Sequence, residues 1–233
     1  MKKALVTTFI LFVLIALGVQ AQNEKKTELD KNQFKTRIDL FTDIWQDTPE
    51  AFNSASINRG INIYSMYEFP IKNTSFSFQS GVGLGVHNLY FDNELKKNDE
   101  GIMIFSAIPD TLSNGTGVET KRSKISVAYL DIPIELKIRT ENKLRAAIGF
   151  KLGYLINSLS KYKGDNYSDD SSSDITIKKK GIDGINNLRY GPTLRIGYKW
   201  IDISAYYSLT TLFEENKGPE MTPISIGISI SKF

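Results

Sequence analysis

The apolar residues of this chain recur at every second position, over runs long enough to cross a membrane. The clearest run is Phe76 to Val86: Phe76, Phe78, Val82, Leu84 and Val86 share one phase with Ser80, while Ser77, Gln79, Gly81, Gly83 and Gly85 take the other. Such alternation is the signature of a strand with one oily and one polar face. Strands of soluble sandwiches are mostly about 5–6 residues long, whereas a membrane-crossing strand needs about 9–11.

The pattern returns seven more times. Ile38 to Ile44, Ile57 to Phe69, Leu130 to Ile138, Leu144 to Ile156, Leu188 to Tyr198, Ile201 to Leu209 and Ile224 to Ile230 each alternate with small, polar or charged residues. Past the N-terminal segment no run of 18 apolar residues occurs, so a span of the bilayer would have to be made by strands. A sheet can do this only when closed, because lipid offers its edges no hydrogen-bonding partners. The expected fold is therefore all-β: an eight-stranded antiparallel up-and-down transmembrane barrel.

The connections sort by length. Those at Pro70–Asn73, Thr140–Lys143 and around Trp200 are short, and those at Gln46–Ser56, Asp92–Arg122, Ser158–Asn186 and Phe213–Thr222 are long. Long and short alternate strictly, the arrangement of extracellular loops and periplasmic turns in outer-membrane barrels. Lys163–Asp174 and Leu112–Thr120 are polar and are expected to be solvated, mobile loops. Ile102–Phe105 and Ile175–Ile177 resist that description and are expected to be strand extensions or a packed hairpin above the membrane.

Lys2 and Lys3, the apolar stretch Ala4–Val19 and the small-x-small triplet Val19-Gln20-Ala21 have the three parts of a secretory signal peptide. The expected organisation is a signal peptide over 1–21 and one barrel domain over 22–233. The chain has no cysteine, which excludes a lipid anchor at the cleavage site, a disulfide framework and a thiolate metal site. Two of its three net positive charges fall in the signal region, so nothing suggests a nucleic-acid partner.

On the lipid face, aromatics are expected near both interfaces. Phe69, Phe76, Phe78, Tyr198, Trp200 and Phe233 fall at the periplasmic ends, and Trp45, Tyr90, Phe91, Tyr190 and Phe213 near the outer ends. The inward phase carries Asp39, Asp43, Glu68, Asp131, Glu135, Lys137, Arg145, Lys151, Arg189, Arg195, Lys199 and Asp202. Eight strands enclose a space about wide enough for side chains to fill, so these charges are expected to form a salt-bridged plug rather than a selective pore. A tight turn at Thr140–Lys143 brings Lys151 beside Asp131 or Pro133, and Lys199 is expected to face Asp202.

His87 is the single histidine, inward and near the outer end of its strand. No motif supplies it with partners for acid–base or nucleophilic chemistry. The acidic stretch Asp165–Asp174 lacks the glycine and glutamate spacing of a calcium loop. No catalytic, cofactor-binding or metal-binding residue is assigned, no cofactor is expected, and the chain does not read as an enzyme.

Four segments also carry a family likeness: YLDIPIELKIR from Tyr129 to Arg139, LRAAIGFKLGYLI from Leu144, RYGPTLRIGYKW from Arg189, and ISIGISISKF ending in Phe233. Together they resemble the PorT-like outer-membrane β-barrel proteins of Bacteroidetes, over most of the mature chain. The resemblance implies an outer-membrane location and a barrel fold. Some members of that family are similar to components needed for gliding and type IX secretion, and the family offers no catalytic residues to carry over.

The expected role is structural or accessory in the envelope, with export of the type IX kind as its finer form. The alternative is a surface-exposed binding protein acting through its long loops. Expected partners are outer-membrane lipids and other envelope proteins met through 92–122 and 158–186, with no nucleic acid. The competing fold is a periplasmic lipocalin-like barrel, which would reverse the two faces.

Overall fold

The computed structural model describes residues 34–50, 52, 54, 57–167 and 171–231. The expected signal peptide and Phe233 lie outside them. Eleven strands follow one another: β1 Phe34–Gln46, β2 Arg59–Pro70, β3 Phe76–Phe91, β4 Asn93–Lys97, β5 Met103–Ala107, β6 Thr120–Arg139, β7 Leu144–Asn166, β8 Ser171–Lys180, β9 Leu188–Tyr198, β10 Ile201–Tyr207 and β11 Thr222–Ser231. Eight of them close a ring in the order β1, β2, β3, β6, β7, β9, β10, β11 and back to β1. All eight ladders are antiparallel, and the closing one sets Ile38 opposite Ile230 and Thr42 opposite Ile226. Every expected barrel strand is present.

The short turns lie at one end of the ring. Asn73, Lys143 and Lys199, one in each turn, all have positive φ, so the reversal depends at each on a single left-handed residue. The outward positions above these turns are apolar on every strand. Leu40, Ile63, Leu84, Leu136, Ile148, Ile196, Ile203 and Ile228 are among the exposed ones. An apolar belt all the way round a barrel far exceeds the few hundred Å² that soluble monomers tolerate. On β6 it runs from Ile138 back to Ala128, about the length needed to cross the hydrocarbon. The interior buries Arg37, Asp39, Glu135 and Arg195 instead, which is opposite to a lipocalin-like barrel.

β3, β6 and β7 continue well past this belt. β7 has 23 residues, on the order of 70 Å at roughly 3.3 Å per residue. A register shift at Ala128/Tyr129 marks where β6 and β7 leave the belt, and β8 then pairs with the outer part of β7 from Leu159 to Asn166. The Asp92–Arg122 connection holds a second two-stranded sheet, β4 with β5. Ile104 and Phe105 thus lie in one hairpin, and Ile175–Ile177 lie in β8, which folds back on the outer part of β7 as another; of the two expected forms, it is the packed hairpin that occurs. Lys163–Asp174 is corrected from a loop: its ends belong to β7 and β8.

Candidate functional site: a charged lumen under an apolar cap

Alternation puts a polar side chain into the lumen at every second position, and the closed ring sets those of facing strands against one another. Glu68, just above the periplasmic turns, accepts hydrogen bonds from Lys35 Nζ at 2.6 Å, Lys137 Nζ at 2.8 Å and Ser77 Oγ at 2.7 Å. Arg145 holds Asp202 through two bonds of 2.6 and 2.9 Å. Further in, Arg195 donates to both Asp39 oxygens at 3.2 and 2.9 Å, to Glu135 at 3.1 Å and to Ser229 Oγ. Arg37 reaches Glu135 from the far side at 2.9 Å, and Gln79 donates to the same carboxylate.

The next layer outward centres on Arg189. Its Nη2 donates to Asp131 Oδ2 at 2.8 Å, and its guanidinium lies 3.9 Å from the centre of the Tyr129 ring. Tyr64 OH also donates to Asp131, at 3.1 Å. Lys151 stands opposite Pro133, one of its two expected positions, with Nζ 3.7 Å from the centre of the Tyr206 ring.

His87 belongs to the same layer and is 2 % exposed. Arginine can only donate, so Nε2, which contacts Arg189 Nη1, accepts, and Nδ1 carries the proton towards Asp43 Oδ2, 2.7 Å away. Asp43 takes a further bond from Ser225 Oγ at 2.6 Å. Both ring nitrogens are therefore engaged within the buried network.

Of the twelve charged residues expected inward, eleven are buried in the lumen. Lys199 is the correction. The β9–β10 turn is only Lys199-Trp200, Tyr198 pairs with Ile201, and Asp202 faces Gly197. Lys199 is thus a turn residue with φ 55° outside the alternation, and Asp202 takes Arg145. Among the described residues, spaces of about 30 and 20 Å³ lie between lumenal side chains around Arg37 and Arg195. Volumes of this size suit isolated waters.

Above the Arg189 layer the lumen turns apolar. Leu89, Phe91, Leu95, Met103, Phe105, Ile125, Val127, Tyr129, Ile185, Leu212, Phe213 and Met221 form one buried cluster, with Trp45, Phe52, Leu155 and Ile182 packed on it. All four long connections contribute. Phe52 meets Phe105 at 5.0 Å between ring centres. Met103 N donates to Lys217 O at 2.9 Å, Glu214 N to Gly184 O at 2.7 Å and Asn186 Nδ2 to Phe213 O at 2.8 Å. The outer mouth is closed by this core. Trp45, Phe91 and Phe213 belong to it, not to the outer lipid girdle expected for them, whereas Tyr190 and the periplasmic set Phe69, Phe76, Phe78, Tyr198 and Trp200 are exposed on the lipid side.

Two solved structures align over most of the chain at low similarity. Ail, the attachment invasion locus protein of Yersinia pestis, has 13% identity over 85% of this chain and 97% of its own, with a TM-score of 0.38. Neisserial surface protein A has 12% identity over 85% and 96%, with a TM-score of 0.37. No curated protein matches the chain. The model of the outer membrane protein beta-barrel domain matches residues 20–214, and with the closed ring and apolar belt already in view, the chain belongs to that family of outer-membrane barrels.

Proposed function

We propose that this protein is a non-conducting, non-enzymatic barrel that anchors a folded extracellular module in the outer membrane, as a structural or accessory part of the envelope. The observation that carries this reading is the double closure of the lumen. The Arg37–Glu135–Arg195–Asp39 network crosses its middle, and the Phe91–Phe213 core fills its outer mouth. Planar-bilayer recording of the refolded protein tests it: no stable conductance is expected, and reproducible single-channel steps would overturn it.

A second reading, a surface binding protein, draws on the outer structure itself. Segment 158–186 is mostly strand, in β7 and β8, and segment 92–122 carries β4, β5 and the start of β6, so both hold ordered surfaces towards other envelope proteins or external ligands. Deleting 168–182 while keeping the barrel strands separates the two readings. Loss of a surface interaction with normal envelope integrity favours binding. The finer form of the accessory role, PorT-like service in type IX export, rests on the resemblance at Tyr129–Phe233. It predicts that deletion of the gene depletes the secreted proteome. Delivery by a cleaved 1–21 signal peptide predicts a mature N-terminus at Gln22.

A further inference from the structure

Where β3, β6, β7 and β8 rise above the apolar belt, the ladders place Tyr90 opposite Lys124, Lys124 opposite Lys161, and Lys161 opposite Lys178. Directly opposed residues in antiparallel strands point to the same face, so three lysines and a tyrosine form one row across four strands. Neighbouring positions on this face add Lys163 on one side and Lys180 on the other, and Asn88 Nδ2 donates to the Arg59 carbonyl of β2 at 3.0 Å. The reverse face carries Phe91, Ser123 and Tyr162, all buried. The lysines therefore face outward, in the same phase as the lipid-facing residues below them.

Their height matters. On β6 the belt ends near Ala128, and Lys124, four positions nearer the N-terminus, stands about 10 Å higher for a tilted strand at roughly 3.3 Å per residue. That is the level of the lipid headgroups. Tyr90, the interfacial aromatic of β3, lies under Lys124 Nζ at 5.8 Å, and Lys124 also donates to Asn88 Oδ1 at 2.9 Å.

Like charges directly opposed across strands repel, and this row opposes them twice in succession. Among the described residues, no carboxylate lies within 4.0 Å of the Lys161, Lys163, Lys178 or Lys180 ammonium groups. Lys161, Lys163, Lys178 and Lys180 need counter-charge, and the surface they continue into is lipid.

We infer that this lysine face binds the phosphate groups of outer-leaflet lipid headgroups, with Lys161 and Lys178 as its central contacts. Lys124, Lys163 and Lys180 surround those two, and Tyr90 sits at the glycolipid boundary. The inference goes beyond the proposed role and does not depend on it, since a barrel of any function meets this leaflet.

Full-length protein in zwitterionic detergent is titrated, with binding followed by native mass spectrometry, using lipid A bearing its phosphates, lipid A stripped of them, phosphatidylcholine and inorganic phosphate. Phosphorylated lipid A is expected to bind best. The Lys161→Gln/Lys178→Gln variant is expected to lose about fivefold in affinity per lysine removed, while Lys161→Arg/Lys178→Arg retains binding. Equal binding of the stripped lipid, or unchanged binding by the glutamine variant, overturns the inference. Saturation by inorganic phosphate alone would instead make this a free-anion site and equally overturn it. Should the glutamine variant fail to fold, the comparison of the two lipid A forms on the wild-type protein decides.

Discussion

Asp131 on β6 and Arg189 on β9 meet across the lumen through two hydrogen bonds from one guanidinium nitrogen, at 2.8 Å to Oδ2 and 3.0 Å to Oδ1, with no access to solvent on the carboxylate side. β7 lies between their strands, so the pair ties non-adjacent parts of the ring together. Removing one partner strands the other charge in a dry site, which typically costs about 3–5 kcal/mol. Asp131→Ala is expected to destabilise the barrel by that amount, read from the unfolding midpoint in urea. Removing Arg189 as well, as Arg189→Met, should cost little more than Asp131→Ala alone, so the coupling in a double-mutant cycle should be about as large as the loss from Arg189→Met by itself. Additive losses would show that the two do not act as a pair.

The space for that pair is made by glycine. A Cβ on Gly153 would press on Asp131 Oδ1 and the Arg189 side chain, and one on Gly85 would meet Asp131 Oδ2 and Arg189 Nη2. Overpacking of this kind costs about 1–3 kcal/mol. Gly153→Ala should lower the unfolding midpoint accordingly. In an Asp131→Ala background the same change should be milder, because the nearest atom it strikes is gone and only the flexible Arg189 side chain has to give way.

The cap should behave as a unit separate from the lumen. Phe213 is 1 % exposed at the centre of the outer core, and Phe→Ala in such sites costs about 3–5 kcal/mol. Because the lumenal ion pairs and the ring lie below it, the loss should be local. Limited proteolysis of Phe213→Ala on intact cells should cleave the outer segments while the barrel core keeps its folded gel mobility. Simultaneous loss of both would show that cap and barrel are one cooperative body.

The Lys97–Asp183 bridge gives the opposite case. Its atoms are 2.6 Å apart, but its side chains are 49 % and 70 % exposed. The hydrogen bond from Lys97, then its charge, lowers the Asp183 pKa from the usual carboxylate value. A depressed carboxylate pKa adds stability that is present above the unfolded value and lost as pH falls through the folded one. The pH dependence of this contribution is thus confined to acid below about pH 4, and above that it is fully present. At neutral pH, Lys97→Ala should leave unfolding within the small range of exposed pairs and show no salt dependence beyond it. A loss as large as that of Asp131→Ala would mean that the hairpin is held far more tightly than its exposure indicates.

How much of this was legible depends on which face of a strand met lipid. Leu130 to Ile138 and Leu194 to Tyr198 show the membrane phase directly, because apolar atoms there have only lipid to face. The cap was less visible because the phase inverts within single strands. On β6, Leu130 and Ile132 point to lipid, while Tyr129, Val127 and Ile125, in the other phase, are buried. β3 does the same between Leu84 and Leu89. Once a strand leaves the bilayer its oily side must turn inward, as in any water-exposed protein. Reading Leu130 as the start of β6 hid that switch and sent Phe91 and Phe213 to the lipid girdle. The Arg189–His87–Asp43 contacts were beyond reach for another reason: they join strands remote in sequence, through a ring register that no local spacing encodes.

The central claim is that the chain crosses the outer membrane as a closed barrel. Fractionating cells that express it, and running the outer-membrane fraction on gels with and without boiling, tests this most directly. Recovery with the outer membrane is expected, with a faster-moving band in the unboiled sample that converts to full apparent mass on heating. Recovery in the soluble periplasmic fraction, with one mobility in both samples, would contradict it.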